Sequence, residues 1–540
     1  MAFRPRFPDS SVLFLLLFFI ALLPRLFCLW QVRHSVLVDY LPLDAGSYDR
    51  WGFLLSQGGT GEETFPGLPF YAYFLGGLYR IFGHHLEVLR TVQAVLGALT
   101  CALTFRITKD LTGSVLAAAG AFLAALLFRP AVFYEMFPMT ETLAAWVCAA
   151  LVFFLLRAYK ENSLLYLFLA GILAGIGLGL RTNFWAVFPV LAAWLPGAFP
   201  GRRIKTLLAF LCGTVLVTAP LIASGPITGK PFSFPGYNAG ISFFIGNGPY
   251  ADGRSLRFPW VPPNDNDLPQ VFRHAATWKT GERMNDAELS TFWYRETLGS
   301  IQKHPVKFAK LALVKLRLLV SGFEMPDIFS VSFLSPLVPA FFLFPLNFFW
   351  LLPWALGGLF LCFSFEKKKL LPALLLFSYA AAILIVLVHE RYKLPLYPLL
   401  ALYAGSGVAA LWNKKVPQVR KIAACGLVLI LLALSSDPVF VKRYAGTPSA
   451  GYHLLGLHYL HKKNYAEAAA LFRTNLAVAP AARLADVHNS LGFALEQNGQ
   501  WDEAAREYRA AVKLAPSYAL PRHNLIRLEA EMKSRQEAGQ

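Results

Sequence analysis

The sequence predicts an all-α protein in two parts. Residues 1–436 read as a polytopic transmembrane helical bundle of about eleven spans, and residues 437–540 as a soluble α-solenoid of stacked helix pairs. Three observations carry this. Only 15% of the 540 residues are charged and 56% are hydrophobic, whereas a soluble domain carries about 25% charged residues. Apolar runs of roughly 20 residues recur with short turns between them, the length a bilayer requires. The tail repeats its own pattern at a fixed offset.

The first run, 11–30 (SVLFLLLFFIALLPRLFCLW), follows Arg4 and Arg6. It is too long for a signal-peptide core and no small-x-small cleavage site follows, so it reads as an uncleaved span. The remaining runs are 88–108, 112–129, 139–157, 164–180, 184–200, 206–224, 335–363, 370–388, 394–412 and 421–436. Pro336, Pro339, Pro345 and Pro353 bend or divide the long run near 335–363. Gly175, Gly177 and Gly179 give one span a small-residue face for close helix packing.

With the N-terminus in the cytoplasm, every cytoplasmic turn is short and basic: Lys109; Arg157 and Lys160; Arg202, Arg203 and Lys205; Lys367, Lys368 and Lys369; Lys414, Lys415, Arg420 and Lys421. That is the positive-inside pattern. The loops 31–87 and 225–334 and everything after about 437 then face outward. The net charge of +18 lies in these turns, so it reports topology and excludes nucleic-acid binding as its explanation. The six cysteines sit in or at the ends of apolar runs, with no CxxC pair, and read as apolar fillers rather than disulfides or metal ligands.

In the tail, YHLLGLHYLHKKNYAEAAALFRTNLAVAP (452–480) aligns with HNSLGFALEQNGQWDEAAREYRAAVKLAP (488–516) at an offset of 36. Gly456 matches Gly492, Ala468 matches Ala504, Phe472 matches Tyr508 and Pro480 matches Pro516. The pattern resembles the tetratricopeptide repeat, in which a small residue and an aromatic knob let paired helices close up. The repeats fall at about 452–484 and 485–518, with a capping helix at 519–535. Such stacks present a concave surface for a protein partner.

Three outward clusters carry candidate chemistry. LDAGSYDRW (43–51) places Asp44, Tyr48 and Asp49 just beyond the first span. FFIGNGPYADG (243–253) holds Asn247 and Asp252 in a glycine-rich turn. HERYKLPLYP (389–398) sets His389, Glu390, Arg391, Tyr392 and Lys393 between two spans, where positive-inside statistics disfavour a basic pair. Arginine binds phosphate oxygens with a planar fork, so Arg391, Lys393 and Tyr392 suit a phosphate at headgroup depth. An acid across from them suits displacement at a sugar carbon, the carboxylate taking the acceptor's proton while a lipid phosphate leaves as a stable anion. Asp44 would be that base; its alternative is a cap on the helix that starts there.

Residues 11–225 and 389–400 resemble the membrane glycosyltransferases of the protein O-mannosyltransferase type. That GT-C superfamily includes bacterial aminoarabinose and polyprenyl-phosphate-dependent sugar transferases. The likeness rests, in order, on DAGSYDRWG (44–52), PGLPFYAYFLGGLYRIFG (66–83), VLRTVQAVLGALT (88–100), TETL (140–143), AGIGLGLRTNF (174–184), IGNGPYADG (245–253) and ERYKLPLYP (390–398). It implies Asp44 as the catalytic acid of the first outer loop and Arg391, seconded by Arg181, on the donor phosphate. Tyr48, Asp49, Asn247, Asp252, His389 and Glu390 would line the substrates. Relatives with an Asp-Glu pair differ from this chain, where Ala45 follows Asp44; a second acid would be Asp49, Asp39, Glu141 or Asp252. No metal-ligand set is visible, and a divalent ion (Mg or Mn) is left open, one carboxylate being a poor site for it.

The function this implies is transfer of a sugar from a polyprenyl-phosphate donor to an acceptor hydroxyl on a protein, lipid or glycan. The site and tail would lie outside a bacterial cytoplasmic membrane, among its lipids, with the tail free to bind a protein partner. A lipid-linked-sugar flippase would need mid-bilayer charges and paired halves, and a membrane-anchored repeat scaffold would leave Asp44 and Arg391 without a role.

Overall fold

The computed structural model describes residues 10–59, 70–223, 239–253, 268–325, 330–444 and 448–538. Arg4, Arg6 and the first four residues of the 66–83 motif lie outside them. Among the described residues every regular element is helical; the one extended pairing is a parallel bridge between Phe128 and Leu346. The chain divides into two compact units. One comprises 1–258, 268–327 and 335–444; the other comprises 259–267, 328–334 and 445–540.

In the first unit, each of the eleven apolar runs forms an apolar helix. Seven are long enough to cross a bilayer: Ser11–Arg33, Leu86–Thr112, Thr140–Glu161, Arg203–Ala223, Lys367–Val386, Glu390–Trp412 and Gln418–Ser436. Four are shorter: Val115–Leu126, Leu164–Leu180, Phe184–Ala198 and Phe348–Cys362. Proline turns and 3-10 segments at Ser335–Leu337 and Pro339–Leu343 break up the run at 335–363, leaving only its second half as a continuous helix. Small residues allow the tightest crossing. A Cβ on Gly171 would stand 2.0 Å from the Phe210 carbonyl oxygen, and one on Gly213 would stand 2.1 Å from that of Phe168. The helices Leu164–Leu180 and Arg203–Ala223 therefore touch backbone to backbone.

Buried polar side chains fix one end of this bundle. Arg90, on the helix Leu86–Thr112, donates from Nε to the Met136 carbonyl at 2.9 Å. Its Nη2 reaches the carbonyls of Leu37 at 3.1 Å and Val38 at 2.7 Å. One guanidinium thus ties the segment leading to Asp44 to the turn leading to Thr140. One turn further along the same helix, Gln93 Nε2 donates to the carbonyls of Glu135 and Phe137, both at 2.8 Å. Arg25, from the first span, pairs with Glu135 at 3.0 Å in full burial. Buried charges in an apolar bundle are retained only where each donor finds an acceptor, and these do.

A second anchor holds the end of the helix Lys367–Val386. Lys315, on the helix Pro305–Val320, is buried and donates to Asn247 Oδ1 at 2.7 Å and the Val386 carbonyl at 2.9 Å. Asn247 Nδ2 in turn donates to the Ile385 carbonyl at 2.9 Å. Together they satisfy carbonyls at the C-terminal end of Lys367–Val386, which otherwise lack intrahelical donors. The direction in which the chain leaves for His389–Lys393 is set there.

The second unit stacks five helices: Ser449–His461, Tyr465–Val478, Leu484–Gln497, Trp501–Leu514 and Ala519–Ala538. The repeat reading holds at atomic level. A Cβ on Gly456 would lie 2.7 Å from the Phe472 ring, and one on Gly492 would lie 2.8 Å from the Tyr508 ring. The added residues between repeats form a 3-10 turn, Ala481–Arg483. Phe333 packs edge-on to Tyr452 with centroids 4.7 Å apart, adding the 330–334 segment to this unit.

Three outcomes are expected. Arg90→Lys keeps the charge but loses the fork, so one of the two segments is released; thermal unfolding in detergent should show a loss of about 1–3 kcal/mol, the cost of buried acceptors left unmade. Asn475 is fully buried with neither amide atom partnered, and Ala511, also fully buried, occupies the same repeat position. Asn475→Ala should therefore stabilise the tail by about 1–3 kcal/mol, read as slower hydrogen exchange across 465–497 in the intact chain. Burial pushes the Lys315 ammonium down to about 7. Between that value and the ordinary lysine range the unfolded chain binds a proton the folded one has shed, so stability rises with pH across this window and is lost as pH falls through it. Lys315→Met should flatten that slope in melts recorded from pH 6.5 to 9.5.

Candidate functional site

Four short stretches, far apart in sequence, deliver the site. The first is the start of the helix Asp44–Ser56. Its N-cap position is held by Leu43, which has no side-chain acceptor and sits at φ 49°, ψ −120°. A branched residue at positive φ costs about 1–3 kcal/mol and persists only where its surroundings impose it. Asp44 follows as the first helical residue, where the helix N-terminus favours a negative charge. Its side chain does not take the capping position; Oδ2 instead accepts from Arg391 Nη1 at 3.0 Å.

The second stretch is Thr140–Glu141, at the start of the helix Thr140–Glu161. The third is Arg181, which ends Leu164–Leu180 and donates to Glu141 Oε1 at 2.8 Å and Thr140 Oγ1 at 3.2 Å. The fourth is the turn His389–Lys393, where Tyr392 lies between the two cations: Arg181 Cζ stands 4.9 Å and Arg391 Cζ 5.2 Å from its ring centre. His389 meets the same ring edge-on at 5.5 Å. The aromatic face is a favourable seat for two guanidiniums whose mutual repulsion is also offset by their acids.

Tyr48 sits at the middle of this set. It is buried, and the charges of Asp44, Glu141, Arg181 and Arg391 all act on it. Burial, then Asp44, pushes its phenol well above the usual range, so it remains a neutral donor. It packs edge-on to Tyr71 at 5.1 Å, whose hydroxyl donates to Gln93 Oε1 at 2.9 Å. The polar framework at this end of the bundle therefore reaches the site through two tyrosines.

The other expected residues are placed elsewhere. Asp49 lies further along the helix and is engaged by the Tyr79 hydroxyl at 2.6 Å and His84 Nε2 at 2.9 Å, pinning the helix to Phe70–Phe82. Asn247 is spent on Lys315 and the end of Lys367–Val386. Asp252 follows it in a segment where Gly253 packs against Val314 and Leu318. Glu390 accepts from the Met325 amide at 3.3 Å, and Lys393 donates to the Ser321 carbonyl at 3.0 Å, both buried. The structure therefore brings Asp44, Tyr48, Arg181, Arg391, Tyr392 and His389 together and adds Glu141 and Thr140. Glu141 was legible only as one of several second acids; its pairing with Arg181 was not. Among the described residues, no three His, Cys, Asp or Glu side chains converge. Each of the two acids meets an arginine rather than its fellow.

Comparison with known proteins gives the following. Residues 66–223 match the family model described as dolichyl-phosphate-mannose-protein mannosyltransferase, and residues 485–518 match the tetratricopeptide repeat. Glu141 and Arg181 fall inside the first match; Asp44 and Arg391 fall outside it. No curated protein sequence matches the chain. Among solved structures, apo ArnT from Cupriavidus metallidurans is similar at 14% identity and a TM-score of 0.42, over 95% of this chain and 75% of that one. The same protein bound to undecaprenyl phosphate is similar at 13% and 0.41, over 94% and 88%. The Archaeoglobus fulgidus oligosaccharyltransferase tethered to an acceptor peptide is similar at 14% and 0.39, over 84% and 58%. No residue role is carried across from these three. By its family matches, the chain is similar to dolichyl-phosphate-mannose-protein mannosyltransferases through residues 66–223, and to the tetratricopeptide repeat through residues 485–518.

Proposed function

We propose that this protein transfers a sugar from a polyprenyl-phosphate donor to an acceptor hydroxyl on the extracytoplasmic side of a bacterial cytoplasmic membrane. The observation that carries the reading is the convergence of Asp44, Arg391, Arg181 and Glu141 around Tyr48 and Tyr392. It sits at the outer ends of the apolar helices, on the side that the basic turns assign to the exterior.

Asp44 is the general base. Its carboxylate takes the proton of the acceptor hydroxyl as that oxygen bonds to the anomeric carbon. The bond from that carbon to the phosphate oxygen breaks, and polyprenyl phosphate departs with the electron pair. Arg391, with Arg181 behind it, holds the phosphate and meets its growing charge with preorganised donors. Glu141 and Thr140 keep Arg181 aimed. One displacement inverts the anomeric centre. The acceptor is a hydroxyl of a protein, a lipid or a glycan, and the tetratricopeptide tail recruits a protein partner to the same face.

The test follows label from radiolabelled polyprenyl-phosphate sugars, in membranes containing the intact chain, into protein, lipid and glycan fractions. Asp44→Asn should lower turnover by about 10²–10⁴-fold, the usual contribution of a positioned base, with the variant still folded; the product anomer should be inverted. An Asp44→Asn protein as active as the wild type would remove Asp44 from the chemistry. Wild type that transfers from no such donor would remove the donor class.

A further inference from the structure

The same ion pair that assembles the site also closes it. If Arg391 is the donor's phosphate clamp and Asp44 the base, neither group is available while they hold each other: Arg391 Nη1 and Asp44 Oδ2 are 3.0 Å apart. We propose that the donor phosphate displaces Asp44 from Arg391, so that donor binding itself releases the base and the acceptor is deprotonated only when a donor is in place. This rests on the function proposed above.

The two partners are unequally held. The Arg391 side chain is 13% exposed and seated against Tyr392, whereas Asp44 is 40% exposed. The carboxylate is the more exposed member of the pair and the guanidinium the more deeply seated one. A phosphate offers the fork the same paired oxygens as a carboxylate, so the exchange keeps the guanidinium satisfied. The second cation cannot be exchanged in this way. Glu141 is almost fully buried against Arg181, with Thr140 as a further acceptor, and removing it would strand a buried charge. Arg391 is thus the exchangeable position. Once the phosphate occupies it, like-charge repulsion turns the Asp44 carboxylate toward the acceptor side. A donor-free enzyme would then have its base occupied, which suppresses idle reactions at the site.

The consequence is unusual for a catalytic base: removing its charge should improve donor-site binding while lowering turnover. The experiment measures the affinity of undecaprenyl phosphate, the leaving-group lipid, for the intact protein in nanodiscs, as wild type, Asp44→Asn, Asp44→Ser, Arg391→Gln and the Asp44→Asn/Arg391→Gln double variant. Each is checked for an unaltered melting profile. Both Asp44 variants should bind roughly three- to tenfold tighter, the range for relieving a partly exposed ion pair. Arg391→Gln should bind at least about tenfold more weakly, as loss of a charge-assisted contact, and the gain from Asp44→Asn should vanish in the double variant. If Arg391→Gln weakens binding but neither Asp44 variant tightens it, the competition is overturned and the phosphate clamp stands. A gain that persists without Arg391 also overturns it, because general loss of negative charge then explains the change. If Arg391→Gln binds as well as wild type, the phosphate assignment itself fails.

Discussion

The site depends first on Arg90. Its guanidinium reaches two segments that share no secondary structure, through the carbonyls of Leu37 and Val38 on one side and Met136 on the other. Those segments end in Asp44 and in Thr140–Glu141. A lipid-embedded bundle has little hydrophobic driving force between helices to define such a register, since lipid tails are as apolar as the side chains. Directional hydrogen bonds from a buried cation define it instead. Gln93 and the Arg25–Glu135 pair extend the same grip along the turn at 135–137.

The architecture thus uses two kinds of contact for two purposes. Backbone-to-backbone crossings at glycines, as between Gly171 and Gly213, bring helices to minimum separation but say little about what lies at their ends. The polar contacts add no close packing, yet they fix where the connecting segments emerge. Lys315 and Asn247 do for the His389–Lys393 turn what Arg90 does for the other two arms. The strain held at Leu43 is consistent with this over-determination, because a backbone at φ 49° needs neighbours that leave it no alternative.

Much of this was legible in the sequence, for reasons that differ by element. A span is a local property, about 20 apolar residues, and all eleven runs became apolar helices. The tail was legible because its packing is written twice at an offset of 36, and Gly456 against Phe472 recurs as Gly492 against Tyr508. The facing of Asp44 and Arg391 followed from both lying in short segments at the same ends of the apolar runs. Direction within a loop left no such trace. Asn247, Glu390 and Lys393 are as polar as Arg391, yet their contacts are with Lys315, Met325 and Ser321. Arg25, Arg90 and Gln93 did carry a signal, as polar side chains inside apolar runs, which are costly unless partnered. Arg90 and the Gln93 amide donate to carbonyls and Arg25 pairs with Glu135, and a sequence does not advertise which.

The paired charges also bear on how the proposed transfer proceeds in a partly dehydrated site. With all four groups ionised, Asp44 and Glu141 balance Arg181 and Arg391, and the arriving phosphodiester adds one negative charge. During transfer Asp44 gains a proton and loses its charge, while the departing phosphate gains one as its ester bond to the sugar breaks. The total is unchanged across the step; charge only moves from the carboxylate to the phosphate. In a medium of low dielectric, creating net charge is the expensive event. A base that is neutralised as the leaving group gains its charge avoids it, and one guanidinium meets first the carboxylate and then the phosphate. The arginine stays paired throughout, and the work left to the protein is to hold that geometry still, which is what the buried framework beneath it does.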